Sequence, residues 1–542
     1  MLPSFGLSSG SMRFEPASLL LWVDADRADL RAKIARAEEV YKATGRDIIN
    51  LGQPADVLAA LRSEAPDVRA FVARLRHETD HLRRHLGTSY GLFYHFLNSA
   101  LPPYYFDWCR SLLAETPEQL AFPLLTPSVR AMLKLARVND FRSSNANLAA
   151  FAWASTIDLM NLLDGNPYLI DSDLAQFKLH SSFDEMATGS RVEAEKRVAF
   201  DMNPMNPETT EDGLVPFLCF DDLFCPQIFG KTFGAKHILE TLAFLSEGSL
   251  AHLTGGATEE WIDSSGMAEY VLLYTFWTKF FGGGGAFAST ESDSRGSVPA
   301  GINVLPTELI AALDLALWMP VGPRGLLSTG RSLTWHDFHP GWRFLRICLT
   351  LKKSLRAFQK IPDSLEVTDG LFREMQTQWC QALEWPTVEQ IALEWSTFLA
   401  SMIDDGKYTG FFYETGKRYP RQLSNVALVS RRIAFPYQIA SNHFDFSDVA
   451  LVWFPVMVAR DGDLQYRPKA GLWSELDNGM MRMVTPYAVQ HGNRMLVLGK
   501  QAIDHIPPRH LQMISNLLLF HSDLFHVRGN RYEELVEGFI HQ

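Results

Sequence analysis

The sequence predicts a predominantly helical α+β protein, with helices along most of the chain and strands in its C-terminal region. Helical patterns broken by prolines continue to about residue 200, and residues 305–405 again look mainly helical. After residue 425 the pattern changes to short apolar runs on either side of turns, which is typical of hairpins. Of the 542 residues, 47% are hydrophobic and 12% are aromatic, so the chain can bury large cores.

The N-terminal region combines short strands with helices. SLLLWVD is a candidate strand, a helical segment follows it, and DIINLG is a second short strand. A helix is predicted from Pro66 to about Leu86. It should end at Gly87, because glycine just past a periodic run is a common end of a helix.

The middle of the chain contains a loop, a second strong helix and a glycine-rich segment. MNPMNPETTEDG reads as a loop, and a helix is predicted from near Ala235 to near Leu253. Residues 280–297, FFGGGGAFASTESDSRGS, predict a flexible loop or linker. The four glycines lack the Lys-Ser/Thr that follows in a phosphate-binding loop, so no nucleotide role is assigned to them.

The C-terminal region contains two hairpin patterns, VALVWFPVMVA-RDGD-LQYRP and MRMVTPYAV-QHGN-RMLVLG. A chain of this length suggests two to four domains. We divide it into four regions. Residues 1–200 contain the H-E-x-x-H helix, and 201–300 contain the second helix and the glycine-rich loop. Residues 301–425 are helical, and 426–542 are mixed α/β.

Composition and charge exclude several classes of function. The net charge is −12 and no basic run is visible, so nucleic acid is not an expected partner. The five cysteines are scattered, which argues against a disulfide framework or a cysteine zinc knuckle. The apolar runs are too short to span a bilayer and the N-terminus lacks the pattern of a secretory signal. We therefore expect a soluble, cytoplasmic protein without membrane partners, and the sequence leaves its oligomeric state open.

The helix at 66–86 carries an H-E-x-x-H motif beginning at His77. On a helical wheel, His77, Glu78 and His81 lie roughly opposite an apolar stripe that can seat the helix in a core. The stripe consists of Val68, Phe71, Val72, Leu75, Thr79, Leu82 and Leu86. Two imidazoles one turn apart can converge on one zinc ion, and the adjacent glutamate can accept a proton from a zinc-bound water.

The same residues are also typical of a solvated, salt-bridged helix face. Asp80 lies inside the motif, and Arg76, Arg83 and Arg84 flank it. His85 lies one turn beyond His81, too far along a straight helix to share the same ion. We interpret His85 as a side chain that supports a ligand or faces solvent.

The best candidate for a third zinc ligand comes from the helix at 236–253. Glu240 and Glu247 lie together on the side away from its apolar face, among alanine and phenylalanine. No Lys or Arg shares this face beyond the first turn, which indicates that the two glutamates line a cleft. The alternative is an acidic surface of an acidic protein.

With these two helices the chain resembles the gluzincins, zinc metallopeptidases with H-E-x-x-H on one helix and a glutamate ligand on a later one. The later helix often has a small residue three positions after the glutamate, as in Glu240-Thr-Leu-Ala243. The resemblance implies zincin-like metal-site helices, with Zn²⁺ bound by His77, His81 and Glu240. It further implies that Glu78 is the general base and that Glu247 can orient a ligand histidine. The long interval between the two helices implies a sizeable insertion, and the strand pattern ahead of the first helix is thin.

Peptide hydrolysis also needs a group that stabilises the oxyanion. Tyr90 in TSYG, His339 in WHDFHPGWRF and His443 in NHFDFSD are candidates. The sequence does not choose among them, and a structural role is the competing interpretation for each.

The sequence thus predicts a zinc-dependent hydrolase, most simply a peptidase with a peptide or protein substrate and with Glu78 activating the zinc-bound water. The alternative is a non-catalytic zinc-binding or partner-binding protein, regulatory or defensive, on the same scaffold. Glu78-x-x-His81 also matches the E-x-x-H motif of di-iron helix bundles. Such bundles need two of these motifs, and the sequence has no second one. A structural protein without metal is the remaining alternative.

Overall fold

The computed structural model describes the chain in segments, and the account below concerns these segments. They are residues 12–16, 20–45, 48, 55–115, 145–166, 225–253, 272–281, 307–323, 325–327, 333–354, 367–405, 420–441, 456–459 and 464–466.

Helices dominate the described segments, which confirms the predicted helical α+β class. The helices are α1 (Arg27–Ala43), α2 (Ala55–Arg62), α3 (Pro66–Gly87), α4 (Ser89–Glu115), α5 (Asn145–Asp164), α6 (Ala235–Leu253), α7 (Leu272–Phe280), α8 (Thr307–Leu317), α9 (Trp335–Phe338), α10 (Pro340–Ser354), α11 (Asp369–Leu383), α12 (Val388–Asp405), α13 (Pro420–Ala434) and α14 (Pro436–Ala440). The strands are short: β1 (Met12–Glu15), β2 (Leu20–Val23), β3 (Gln227–Ile228), β4 (Lys231–Thr232), β5 (Val321–Gly322), β6 (Gly325–Leu326), β7 (Val456–Val458) and β8 (Leu464–Tyr466).

The largest sheet joins the two ends of the described chain. Its strand order is β1-β2-β7-β8, with β2 antiparallel to β1 and parallel to β7. The predicted strand SLLLWVD is confirmed as β2, and the first predicted hairpin is confirmed as the antiparallel pair β7 and β8. The sequence did not predict β1, which forms an edge of this sheet among the strands that the structure describes.

Several predictions fall outside the described residues. The second predicted hairpin, the loop MNPMNPETTEDG and most of the glycine-rich segment lie there, and only Ile48 of DIINLG is described. The division of the chain into four regions stays a prediction.

The motif helix α3 begins and ends where its sequence indicates. Pro66 opens it, at a position where a missing backbone N–H has no cost, and the helix ends at Gly87 as predicted. The backbone N–H of Thr88 then donates to the carbonyl of Arg84 and closes the last turn. The helix contacts α1, α4, α6, α13 and β1.

The second predicted helix is confirmed as α6, and its start is fixed by two glycines. Gly165, with φ of 84°, follows α5 and lies against Gly234, which precedes α6. A Cβ atom at Gly165 would lie 2.2 Å from the backbone nitrogen of Gly234. This approach of two backbones positions α6 beside α3.

Within the described segments, no helix combines the length and the apolar character that a membrane crossing requires.

Candidate metal centre

Three donor atoms from α3 and α6 meet at one point. Nε2 of His77 lies 3.1 Å from Nε2 of His81. Oε2 of Glu240 lies 3.3 Å from Nε2 of His77 and 3.2 Å from Nε2 of His81. The spacing of the two histidines by one helical turn on α3 produces this convergence, and α6 supplies the carboxylate from across the interface.

The size of this triangle fits zinc. A tetrahedral zinc ion with ligands at about 2.0–2.1 Å separates any two of them by about 3.3 Å. The three observed edges of 3.1, 3.2 and 3.3 Å are close to this value. Two imidazole nitrogens and one carboxylate oxygen are also a donor set that catalytic zinc sites use. The residues present therefore fit a zinc ion.

Glu78 lies beside the two histidines. The donor atoms of His77, Glu78 and His81 all lie within 4.8 Å of one another, close enough to hold a metal ion. Oε2 of Glu78 also accepts a hydrogen bond of 2.7 Å from the backbone N–H of Phe14 on β1. Burial raises the pKa of Glu78, although the nearby histidines oppose the shift. The carboxylate is therefore held in place and more basic than an exposed glutamate.

Glu247 lies on the far side of the His77 ring. Its Oε2 is 2.9 Å from Nδ1 of His77, and 9% of the Glu247 side chain is exposed. A carboxylate at Nδ1 favours the tautomer that carries the proton there, which leaves Nε2 of His77 with a lone pair toward His81 and Glu240. The orienting role that the sequence analysis gave to Glu247 stays a prediction.

The charges at the centre compensate one another. Burial lowers the pKa of His77, but the carboxylates of Glu247 and Glu240 outweigh it and hold this pKa well above its usual value. Burial likewise raises the pKa of Glu240, but His81 and His77 outweigh it and hold this pKa well below its usual value. The carboxylates thus stabilise positive charge at this point, as a site for a cation requires.

The alternative of a solvated helix face is wrong for α3. Arg76, Asp80, Arg83 and Arg84 are all less than 8% exposed, and Nε of Arg84 donates to Oδ2 of Asp80 at 2.7 Å. The charged residues around the motif are buried partners of other helices.

Of the two alternatives given for His85, the solvent-facing one is wrong. His85 is 2% exposed, and its ring packs against Phe14, Tyr90, Tyr94 and His95. It belongs to an aromatic cluster one turn beyond the metal centre, as its spacing from His81 requires.

Two of the three candidate oxyanion groups, Tyr90 and His339, have partners on other elements. The hydroxyl of Tyr90 donates to Oδ1 of Asp164 at 2.5 Å. The Nε2–H of His339 donates to the carbonyl of Leu162, and Nδ1 accepts from the backbone N–H of Gly341. These bonds give Tyr90 and His339 structural contacts, and His443 lies outside the described residues.

Two contributors to the centre were missed from the sequence. One is Phe14, whose backbone N–H holds Glu78 and whose ring stacks on His81. The other is the bond from Nε of Arg76 to Oγ of Ser246, which ties α3 to α6 next to Glu247. The short run MRFE before SLLLWVD was the available signal for β1, whereas no local pattern indicates the bond between Arg76 and Ser246.

Comparisons of the chain with protein-family models, curated proteins and solved structures found no match.

Proposed function

We propose that the protein is a zinc-dependent hydrolase that cleaves peptide bonds. The observation that supports this proposal is the triangle of Nε2 of His77, Nε2 of His81 and Oε2 of Glu240, with edges of 3.1–3.3 Å and with Glu78 beside it. Three protein ligands leave a fourth zinc position for water or substrate, which is the pattern of catalytic rather than structural zinc sites.

Each residue of the centre has a role in this proposal. His77, His81 and Glu240 hold the ion, and Glu247 fixes the ring of His77 through Nδ1. When bound, zinc supplies a Lewis acid that lowers the pKa of a water molecule to about 7. Glu78 accepts the proton of the attacking water and donates it to the leaving amine.

The surroundings of Glu78 favour this proton transfer. The backbone N–H of Phe14 orients its carboxylate, and burial raises its pKa. A base whose pKa is shifted toward neutrality can both accept and return a proton near neutral pH.

The choice of a peptide substrate depends on the resemblance to the gluzincins and on the sheet edge. Glu78 accepts its hydrogen bond from β1, so the metal centre lies against a strand that forms an edge of the four-stranded sheet among the described strands. An edge strand offers backbone hydrogen-bonding groups that an extended peptide can pair with. The sequence had indicated only a weak strand pattern ahead of the motif helix.

The test is Glu78→Gln, which keeps the shape of the side chain and removes the base. We expect this variant to retain zinc and folding but to hydrolyse a peptide library at least about 10²-fold more slowly than wild type. Glu374→Gln, on an exposed position of α11, is the matched control and should cleave like wild type.

Equal cleavage by Glu78→Gln and wild type would contradict the proposal and point to a contaminating protease. Zinc binding without cleavage by either protein would instead favour the non-catalytic zinc-binding protein.

A further inference from the structure

Partly exposed aromatic side chains cluster where α7 lies against α10. Four of them belong to the second half of α7 and the residue after it: Phe276, Trp277, Phe280 and Phe281. The ring centroids of Phe276 and Phe280 are 5.0 Å apart, and those of Trp277 and Phe281 are 4.4 Å apart. The rings of Phe280 and Phe281, 5.2 Å apart, join the two pairs. Phe276 and Trp277 also contact the buried ring of Phe344, which anchors the cluster on α10.

The outward face of α10 continues this cluster. Leu345, Leu349 and Lys352 follow one another at intervals of four and three residues, so they share one face of the helix. Leu345 is partly exposed and Leu349 is 50% exposed. Nζ of Lys352 lies 4.1 Å from the centre of the Phe280 ring and donates to the Phe280 carbonyl at 3.2 Å. Lys352 thus joins the two leucines to the aromatic rings, and we call the whole surface the α7–α10 patch.

The two helices of the patch carry basic residues and no acidic ones. Their lysines are Lys279, Lys352 and Lys353, and neither helix contains an aspartate or a glutamate. The arginines of α10 are engaged elsewhere, because Arg343 is buried and Arg346 binds Asp337 of α9. The chain as a whole has a net charge of −12, so the lysines of these helices are locally opposite to it. A partner of this patch should therefore combine apolar groups with negative charge.

The composition of the patch favours a lipid surface over a protein partner. Tryptophan, phenylalanine and leucine together with lysine are typical of surfaces that lie at the boundary between headgroups and acyl chains. The buried centres of protein interfaces are instead depleted in lysine, whereas Lys352 lies within the patch, at the ring of Phe280. A lysine in this position can lay its alkyl chain on apolar groups and direct its ammonium group toward a phosphate.

We propose that the α7–α10 patch binds the surface of membranes that contain anionic phospholipids. The aromatic rings and Leu349 enter the headgroup boundary, and the lysines pair with the negative headgroups. The expectation of no membrane partner was based on the length of the apolar runs, and a protein that lies on a bilayer needs no spanning segment. The proposal is independent of the hydrolase proposal, because no residue of the metal centre belongs to the patch.

The first test is sedimentation of the full-length protein with lipid vesicles. One set of vesicles contains phosphatidylserine and phosphatidylcholine in equal parts, and the other contains phosphatidylcholine alone. We expect the protein to sediment with the first set far more than with the second, and to be released as sodium chloride is raised, because salt screens the attraction. Failure to bind the phosphatidylserine vesicles at low salt would overturn the proposal.

Two variants assign the binding to the patch. Lys352→Gln removes one positive charge, and Leu349→Ser removes an exposed apolar side chain, so both should fold like wild type. We expect each to weaken binding to the phosphatidylserine vesicles by about 5-fold. The matched controls are Lys42→Gln on α1, where the lysine side chain is 70% exposed, and Leu393→Ser on α12, where the leucine is 61% exposed. Wild-type binding by both patch variants, or equal losses in the controls, would refute this surface.

Sedimentation velocity without vesicles tests the other occupants of the patch. We expect Leu349→Ser and wild type to have the same molecular mass in solution. A wild-type dimer that Leu349→Ser converts into monomers, together with no binding to vesicles, would show that the patch joins two copies of the chain and that the membrane proposal is wrong.

Discussion

Glu247→Ala should weaken zinc binding without removing a ligand. In the structure, Oε2 of Glu247 lies 2.9 Å from Nδ1 of His77, and both side chains are less than 10% exposed. Because the site is buried, few water molecules can replace the carboxylate as the partner of Nδ1. Loss of a group that orients a ligand histidine costs roughly 10- to 100-fold in metal affinity, or about 1.4–2.7 kcal/mol. Glu247→Gln keeps an acceptor oxygen but loses the charge, so its effect should lie between wild type and alanine.

The assay is competition for zinc between the protein and a chromogenic chelator. Glu394→Ala, on an exposed position of α12, is the control and should bind zinc like wild type. Glu240→Ala should lose more affinity than Glu247→Ala, because Glu240 lies at the point where the imidazoles converge. If Glu247→Ala binds zinc as tightly as wild type, the orienting role is refuted. If its loss exceeds that of Glu240→Ala, Glu247 is the ligand instead.

Two further predictions concern stability. Ser246→Ala removes the acceptor of the buried Nε of Arg76. It should lower the free energy of unfolding, measured by urea titration, by about 1–3 kcal/mol. An unchanged value would show that this bond does not stabilise the interface between α3 and α6. Burial lowers the pKa of His339 from 6.5 to about 4, so between these pH values the unfolded chain takes up a proton that the folded chain does not. The free energy of unfolding should therefore fall by up to about 3 kcal/mol as the pH falls from 6.5 to 4. His339→Gln should lose part of this dependence in urea titrations across that range, and an equally steep loss in the variant would contradict the assignment.

The two helices of the metal centre were predictable because their signals are local. Pro66 and Gly87 mark the ends of α3, and its apolar stripe sets the face that carries the histidines. The wheel of the later helix placed Glu240 and Glu247 together, and the structure brings both to His77. Neighbours three, four or seven positions apart on a helix share a face whatever the tertiary context.

The surroundings of these helices were not predictable, because they depend on contacts between distant parts of the chain. A helix with Arg76, Asp80, Arg83 and Arg84 around its motif has the composition of a solvated face. It is buried because other helices supply the groups that pair with it: Ser246 of α6 accepts from Arg76, and Asp314 of α8 lies 4.0 Å from Nη1 of Arg84. No sequence pattern within α3 indicates which groups on other helices pair with it.

The strand β1 was missed for a similar reason. A four-residue run carries little periodicity, and its pairing with β2 becomes stable through the sheet that β7 and β8 complete. The register of Leu20 with Val456 joins residues more than four hundred positions apart. Since β1 holds Glu78 through Phe14, this non-local pairing also positions the proposed base.

The measurement that tests the central claim most directly is the metal content of the full-length protein purified without chelator. We predict close to one zinc per chain in wild type and little or none in His77→Ala and His81→Ala, because two remaining ligands hold zinc poorly. Glu394→Ala should retain the wild-type content. Wild-type protein that carries no zinc and does not take it up, or zinc content unchanged in both histidine variants, would contradict the assignment of this centre.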